Sequence, residues 1–291
     1  MPILSVIIPT HKRADILTEC LRHLERQTIA DQIEVIVVSD GSDEKTAALF
    51  QSSSWRMSVR FFEIAKSQQG SARNEGLKHA QGEYVLFIGD DIFLEPEACE
   101  KHLEVLENSK NQIPNSNICV LGFTTWDSEC GITPVMCWLE ESGWQFGYPL
   151  LTSYAHALIP QNLQHRFCYT SHISLPLEIA RKHLFRTDMH LYGWEDIEWG
   201  MRLADAGLRL FYEPDARALH HHRISFEESL QRMKILGLSA VEIAKKIPTF
   251  DRVPKGWKLR LYRIASLLPT MAGRHRKAFL QGIDGRGGVG K

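Results

Sequence analysis

An α/β fold, an open and mostly parallel sheet flanked by helices with a helical C-terminal appendage, is what this sequence predicts on three observations. Short β-branched or aromatic runs alternate with segments of helical periodicity over the first 110 or so residues, which implies right-handed βαβ units and a parallel sheet. The run Tyr84 to Ile88 is apolar throughout and too short for a helix, as expected of a strand covered on both faces. Asp90 and Asp91 follow it. A strand of an open α/β sheet delivers its carboxyl end to the ligand crevice, and two adjacent aspartates there concentrate negative charge that calls for a cation. Capping of the helix expected near Glu97 to Asn108 is the plainer use of these acids.

The elements follow in order. Ile3 to Ile8 is a first strand ending at Pro9, and Ala14 to Arg26 places Ile16, Leu17, Cys20, Leu21 and Leu24 on one helical stripe. Ile33 to Val38 is a second strand running into the turn Ser39-Asp40-Gly41-Ser42-Asp43. Val59 to Ile64 is a third strand, Ser71 to Ala80 a helix, and the fourth strand ends at Asp90. The polar stretch Asn111 to Asn117 reads as a loop, after which Ile118 to Phe123 resumes the sheet. Residues 124–170 carry eight Trp, Tyr and Phe residues among scattered Gly and Pro; such a segment forms either a satellite core or a ring-binding surface. Ile197 to Ala206 is a helix stopped by Gly207. Leu208 to Tyr212 and Ala216 to Leu219 are short strands leading to His220-His221-His222, and helices follow over Phe226 to Lys246 and Trp257 to Leu268.

Composition narrows the class. Apolar residues make up 44% and charged residues 24% of 291, an ordinary globular balance. The net charge of −1 hides an asymmetry: residues 250–291 hold ten Lys or Arg and two acids, leaving 24 basic against 33 acidic residues, or −9, elsewhere. The six cysteines form no CxxC pair, which favours reduced thiols in a cytoplasmic protein over a disulfide framework. No run approaches the roughly 18 to 20 apolar residues that span a bilayer, and Ile3 to Ile8 is too short for a signal peptide. The expected location is therefore cytoplasmic, with peripheral attachment at the inner membrane face as an option.

The ordered motifs Val6-Ile7-Ile8-Pro9-Thr10, Val37-Val38-Ser39-Asp40-Gly41-Ser42, Gly70-Ser71-Ala72-Arg73-Asn74-Glu75-Gly76-Leu77, Phe87-Ile88-Gly89-Asp90-Asp91 and Gly193-Trp194-Glu195-Asp196 resemble those of family 2 glycosyltransferases, which are inverting, nucleotide-sugar-dependent enzymes of the GT-A fold. The resemblance covers residues 3 to 222. It implies a Rossmann-like nucleotide-binding half over 1–110 and an acceptor-side half over 111–223; the basic helical extension over 224–291 has no counterpart in it. It also implies transfer of a sugar from a nucleotide-diphosphate sugar, with a UDP-sugar favoured, to a glycan or lipid-linked hydroxyl acceptor of the cell envelope. Nucleic acid is not an expected partner.

The roles carried over by that resemblance are specific. Asp91 is the metal ligand and Asp90 its partner toward ribose or a metal-bound water, although the family motif is usually Asp-x-Asp and Gly89 here occupies the first place. Departure of a nucleotide diphosphate needs such a divalent cation, Mn2+ or Mg2+; His220, with His222 on the same strand face as second choice, offers a further ligand, and a polar surface turn is the plainer use of the three histidines. Asp40 holds the nucleobase edge; Pro9, Thr10 and Arg13 border the nucleotide; Arg73 suits a planar contact to the base or diphosphate. His172 stands where relatives often carry Asn near the donor sugar. Asp196 is the base that deprotonates the acceptor, with Glu195 orienting it. As a residue opening a helix, Asp196 is also a natural N-cap.

Three other readings compete. A nicotinamide enzyme lacks its GxGxxG after the first strand, and the GxxxxGK of Gly285 to Lys291 ends before the Ser or Thr of a phosphate loop. A nucleotidyltransferase shares the sheet and carboxylates but not the sequence Pro9-Thr10-His11-Lys12-Arg13 after the first strand. A catalytically silent nucleotide-sugar-binding module uses Glu195-Asp196 only as a cap. For residues 254–280 the basic and apolar positions fit either contact with an anionic membrane surface or a helical cap packed on the main domain, with the cap preferred.

Overall fold

The computed structural model describes residues 2–52, 54–112, 117–188 and 193–285. The middle of the Asn111 to Asn117 loop and the phosphate-loop-like tail beyond Gly285 lie outside them. The first half is β1 (Leu4–Thr10), α1 (Ala14–Glu25), β2 (Ile33–Asp40), α2 (Glu44–Ser52), β3 (Ser58–Ile64), α3 (Gln69–His79), β4 (Tyr84–Ile88), β5 (Ile92–Leu94) and α4 (Ala98–Gln112). The second half is β6 (Ile118–Trp126), α5 (Pro134–Glu141), β7 (Ala157–Leu158), α6 (Gln161–Gln164), β8 (His172–Pro176), α7 (Leu177–Lys182), α8 (Glu195–Asp205) and β9 (Arg209–His220). Three helices close the chain: α9 (Phe226–Lys246), α10 (Gly256–Ala265) and α11 (Met271–Ile283).

One sheet runs β3-β2-β1-β4-β8-β6-β9-β5, with β7 pairing β9. It is parallel from β3 to β4, as the βαβ alternation requires, and parallel again between β6 and β9. Strand β8 enters antiparallel between β4 and β6, and β5 and β7 are antiparallel to β9. Every residue of β1, β2 and β4 is buried, so these strands show no polar alternation. The two strands expected at 208–212 and 216–219 are a single strand. Its register against β6 jumps from Gly122↔Glu213 to Phe123↔Arg217, because Pro214 has no N–H to give the ladder and the chain bulges there.

Of the eight 124–170 aromatics three are buried core, and Trp144, Phe146 and Tyr169 line an open cleft. Tyr148 and Phe167 join the main cluster, while Trp126 anchors a satellite cluster with Trp138 and Trp144 packed against it. All six cysteines are free thiols.

The packed-cap reading of the extension holds for α9 and α11. They cross closely enough that a Cβ on Gly237 would meet Phe279 O at 2.1 Å and one on Gly282 would meet Lys234 O at 2.1 Å. It holds only in part for α10, which has no fully buried residue and rests on α11 through Tyr262.

His172 lies in the core. Its ring is fully buried 4.9 Å from that of His102, with Nδ1 3.2 Å from Thr124 Oγ1. A Cβ on Gly122 would meet the ring at 2.3 Å, so glycine at 122 makes its room. Burial holds His172 down to about 3 and His102 well below the ordinary imidazole value. The unfolded chain takes up these protons near pH 6.5 and the folded one does not, so stability is full above about 6.5 and falls as the pH drops. At pH 5 His172 alone is expected to have withdrawn about 2 kcal/mol. Urea unfolding at pH 7 and 5 checks this, with a smaller difference expected in His172→Gln; equal differences would refute it.

Candidate active site

Strands β1 and β4 end beside one another and deliver Pro9 and Gly89-Asp90-Asp91 to an open cleft of ≈ 670 Å³, a size typical of ligand sites. Both acids are tied to β1 and the turn after it. Thr10 Oγ1 donates to Asp90 Oδ2 at 2.7 Å, and the Arg13 guanidinium spans the pair, 2.9 Å from Asp90 Oδ1 and 2.9 Å from Asp91 Oδ2. Burial, and then repulsion from Asp91, raises Asp90 to about 6. Burial pushes Asp91 in the same direction, but His220, His222 and Arg13 outweigh it and hold Asp91 well below the usual carboxylate range. Gly89 has a steric reason: a Cβ there would come within 2.8 Å of Asp91 Oδ1. An acidic residue at 89 would thus displace the Asp91 carboxylate.

The histidines arrive by strand pairing. Antiparallel pairing of β5 with β9 sets Ile92 opposite His220, and His221 N–H donates to Asp91 O at 2.8 Å. Alternation along the chain then turns His220 and His222 toward Asp91, with His220 Nε2 and His222 Nδ1 each 3.5 Å from Oδ2. His221 goes to the other side, with Nδ1 2.6 Å from Asp127 Oδ2. One ligand atom from each of Asp91, His220 and His222 lies within 4.8 Å of the others. One carboxylate with two imidazoles fits a borderline divalent cation better than magnesium, which prefers oxygen alone.

Just before α8 the chain is under strain. Gly193 has φ 93° and Trp194 φ 71°, left-handed values that non-glycine residues adopt at a cost of about 1–3 kcal/mol. The extension holds them there. Trp194 Nε1 donates to Leu236 O at 2.9 Å and its ring meets Phe250 edge-on, while Ser239 Oγ donates to Gly193 O. Trp194, not Asp196, therefore stands at the N-cap position of α8. Asp196 is one residue inside the helix, where its Oδ1 accepts from Ile197 N–H at 2.8 Å. Its surroundings raise it to about 7, through burial first and the neighbouring Glu195 second, with Arg73 opposing.

Of the residues singled out in the sequence, Pro9, Arg13, Arg73, Asp90, Asp91, Glu195, Asp196, His220 and His222 all line this cleft, and Thr10 lies behind Asp90. Asp40 stands apart at the end of β2, where Oδ1 accepts from Ser67 N–H at 2.6 Å and Oδ2 from Lys66 Nζ at 3.0 Å. His172 is not on the wall: it lies inside the sheet layer, so its expected place near a donor sugar is corrected by its burial. Missed in the sequence were Arg166, and Arg232 and Arg252 of the extension, which line the same cleft.

An open α/β sheet with acids at the ends of β2 and β4 and a second acidic pair opening α8 is the architecture of a GT-A type fold. Residues 5–121 match the model of "Glycosyl transferase family 2". A putative glycosyltransferase EpsH of Bacillus subtilis is 34% identical over 35% of this chain and 30% of its own length. An uncharacterized glycosyltransferase, YfnE, of the same species is 26% identical over 76% and 65%. The chain thus spans about a third of EpsH. A mannosyltransferase of Pyrobaculum calidifontis in complex with GDP-Man and Mn2+ superposes with a TM-score of 0.60 at 18% identity, covering 99% of this chain and 76% of its own. S. aureus TarS 1-349 in complex with UDP-GlcNAc does so at 0.55 and 18%, covering 98% and 82%.

Proposed function

We propose that this protein is a glycosyltransferase that moves a sugar from a nucleotide-diphosphate sugar to a hydroxyl of a glycan or lipid-linked acceptor, with inversion, in cell-envelope synthesis. The observation that carries the reading is the sharing of one cleft by two differently tuned acidic pairs. Asp91, with His220 and His222, is an anionic donor set suited to a cation. Asp196 is a carboxylate raised to about 7, near the working pH of a general base.

The residues divide the work accordingly. Asp91, His220 and His222 would hold the divalent cation, manganese by their donor set, and the cation supplies charge neutralisation to the leaving diphosphate. Arg13 and Arg73 bring fixed positive charge to the same cleft, where an anionic nucleotide gains from it. Asp40 meets the base edge once Lys66 gives way. Asp196 takes the acceptor proton, with Glu195 beside it keeping its proton affinity high. We assign 1–223 to the transferase domain and 224–291 to a helical extension on a cytoplasmic protein, with the α10 part of 254–280 as a peripheral membrane contact. Among the described residues no helix is long and apolar enough to cross a membrane.

In a silent binding module Asp196 would only serve the first turn of α8 through Ile197 N–H, and product release separates the two readings. A panel of UDP- and GDP-sugars with Mn2+ or Mg2+ tests the reading. The right donor at a hundredfold its Kd should stabilise the fold by about 2.7 kcal/mol and, with acceptor, release nucleotide diphosphate. Stabilisation without release by any donor and acceptor would reduce the protein to a binding module.

A further inference from the structure

Five of the nine large apolar side chains exposed among the described residues, Trp257, Leu261, Ile264, Leu267 and Leu268, fall within twelve residues on α10 and the turn after it. At about 100° per residue, Trp257, Leu261 and Ile264 share one narrow stripe of the helix. The opposite face is the one that packs: Tyr262 meets Phe279 of α11 edge-on at 6.0 Å, and the Arg276 guanidinium lies over its ring. The stripe therefore points away from the protein, with Trp257 67% and Leu267 81% exposed.

Charge says what covers it. From Arg252 to Ile283 there are eight Lys or Arg and no Asp or Glu. Of these Lys255, Lys258 and Arg260 are exposed beside the stripe, and Arg263, also exposed, pairs with Asp284 at 3.2 Å. The rest of the chain is acidic, so the positive charge is confined to this end. An apolar stripe with a terminal tryptophan and flanking long basic side chains matches the boundary between acyl chains and anionic headgroups. The apolar residues enter, and Lys and Arg reach the phosphates. A protein partner would require no such interleaving.

We propose that the outer face of α10 seats the protein on an anionic lipid bilayer, through Trp257, Leu261, Ile264, Leu267 and Leu268 together with Lys255, Lys258, Arg260 and Arg263. The face is tied to the site through the chain and through helix packing. Arg252 lines the cleft four residues before α10 begins, and α9, which α11 clasps, holds Trp194. In its bearing on the acceptor the inference rests on the transferase reading, since a cleft seated at a bilayer suits a lipid-linked hydroxyl.

The experiment is sedimentation of the full chain with vesicles of phosphatidylcholine alone and of phosphatidylcholine with phosphatidylglycerol in equal parts, at low and high salt. Binding is expected only to the anionic vesicles, reversed by salt, with a blue shift of Trp257 fluorescence. Leu261→Glu with Leu267→Glu should weaken it by at least about tenfold, and Lys258→Glu by about fivefold or more. These positions are exposed, so the variants keep the fold. Asp196→Asn should bind vesicles like the wild type, which separates this inference from the catalytic one. Equal binding to both vesicle types, no binding at low salt, or a dimer in light scattering that Leu261→Glu dissolves would overturn it.

Discussion

Asp196→Asn is expected to lower turnover by about 10² to 10⁴-fold, the usual loss on removing a positioned general base, while fold and donor affinity survive. The side chain's one structural bond is to Ile197 N–H, and an asparagine oxygen can accept it equally. What the amide cannot do is take a proton from the acceptor. Donor affinity should persist because the residues assigned to the nucleotide and cation, Arg13, Asp40, Asp91 and the histidines, are unchanged.

Two further consequences separate this from a structural role. In the wild type kcat/KM should rise with pH through about 7, as Asp196 loses its proton, and the variant should lack that limb. Stability should move the other way. A carboxyl raised to about 7 in the fold binds its proton more tightly than the unfolded chain does. It therefore favours the fold at low pH and loses that contribution as the pH rises through 7. At pH 8 Asp196→Asn should melt no lower than the wild type. Near-normal turnover in the variant would move the base to Glu195.

How much of this was legible along the chain depended on whether the cause was local. Tyr84 to Ile88 and the acids after it could be placed because a fully covered parallel strand has a composition of its own and its end faces the crevice. The pairing of His220 and His222 with Asp91 followed from alternation once β9 was known to run beside β5. His172 could not be placed. It sits on β8, covered on both faces, so period-two alternation carries no information there, and its room depends on Gly122 fifty residues earlier. Arg232 and Arg252 were illegible for another reason. They enter the cleft only because α9 crosses back over Gly193-Trp194 through the glycine contact with α11, a tertiary path without local pattern. The stripe on α10 was visible as periodicity, but periodicity does not say whether an apolar face is covered.

Asp91→Ala is expected to abolish the tightening of nucleotide-diphosphate binding by Mn2+ and to lower turnover by at least about 10²-fold, since a cation at a leaving group contributes several kcal/mol. Asp91 Oδ2 is the one atom that Arg13, His220 and His222 all approach. Without it the two imidazoles retain no anionic partner with which to draw a cation out of water. The fold should stand. Arg13 keeps Asp90 at 2.9 Å and Thr10 still donates to it, while removal of the neighbouring charge relieves the second-largest cause of the rise in Asp90. Arg13 also makes the contrast informative, because it supplies positive charge at this site without a cation. Residual metal-independent binding of nucleotide should therefore remain in the variant and weaken further when Arg13 is also replaced. Titration calorimetry of wild type and Asp91→Ala, each with Mn2+ and with chelator, reads the difference. Equal affinity in all four cases would refute the cation site at Asp91 and leave the arginines of the cleft to neutralise the diphosphate.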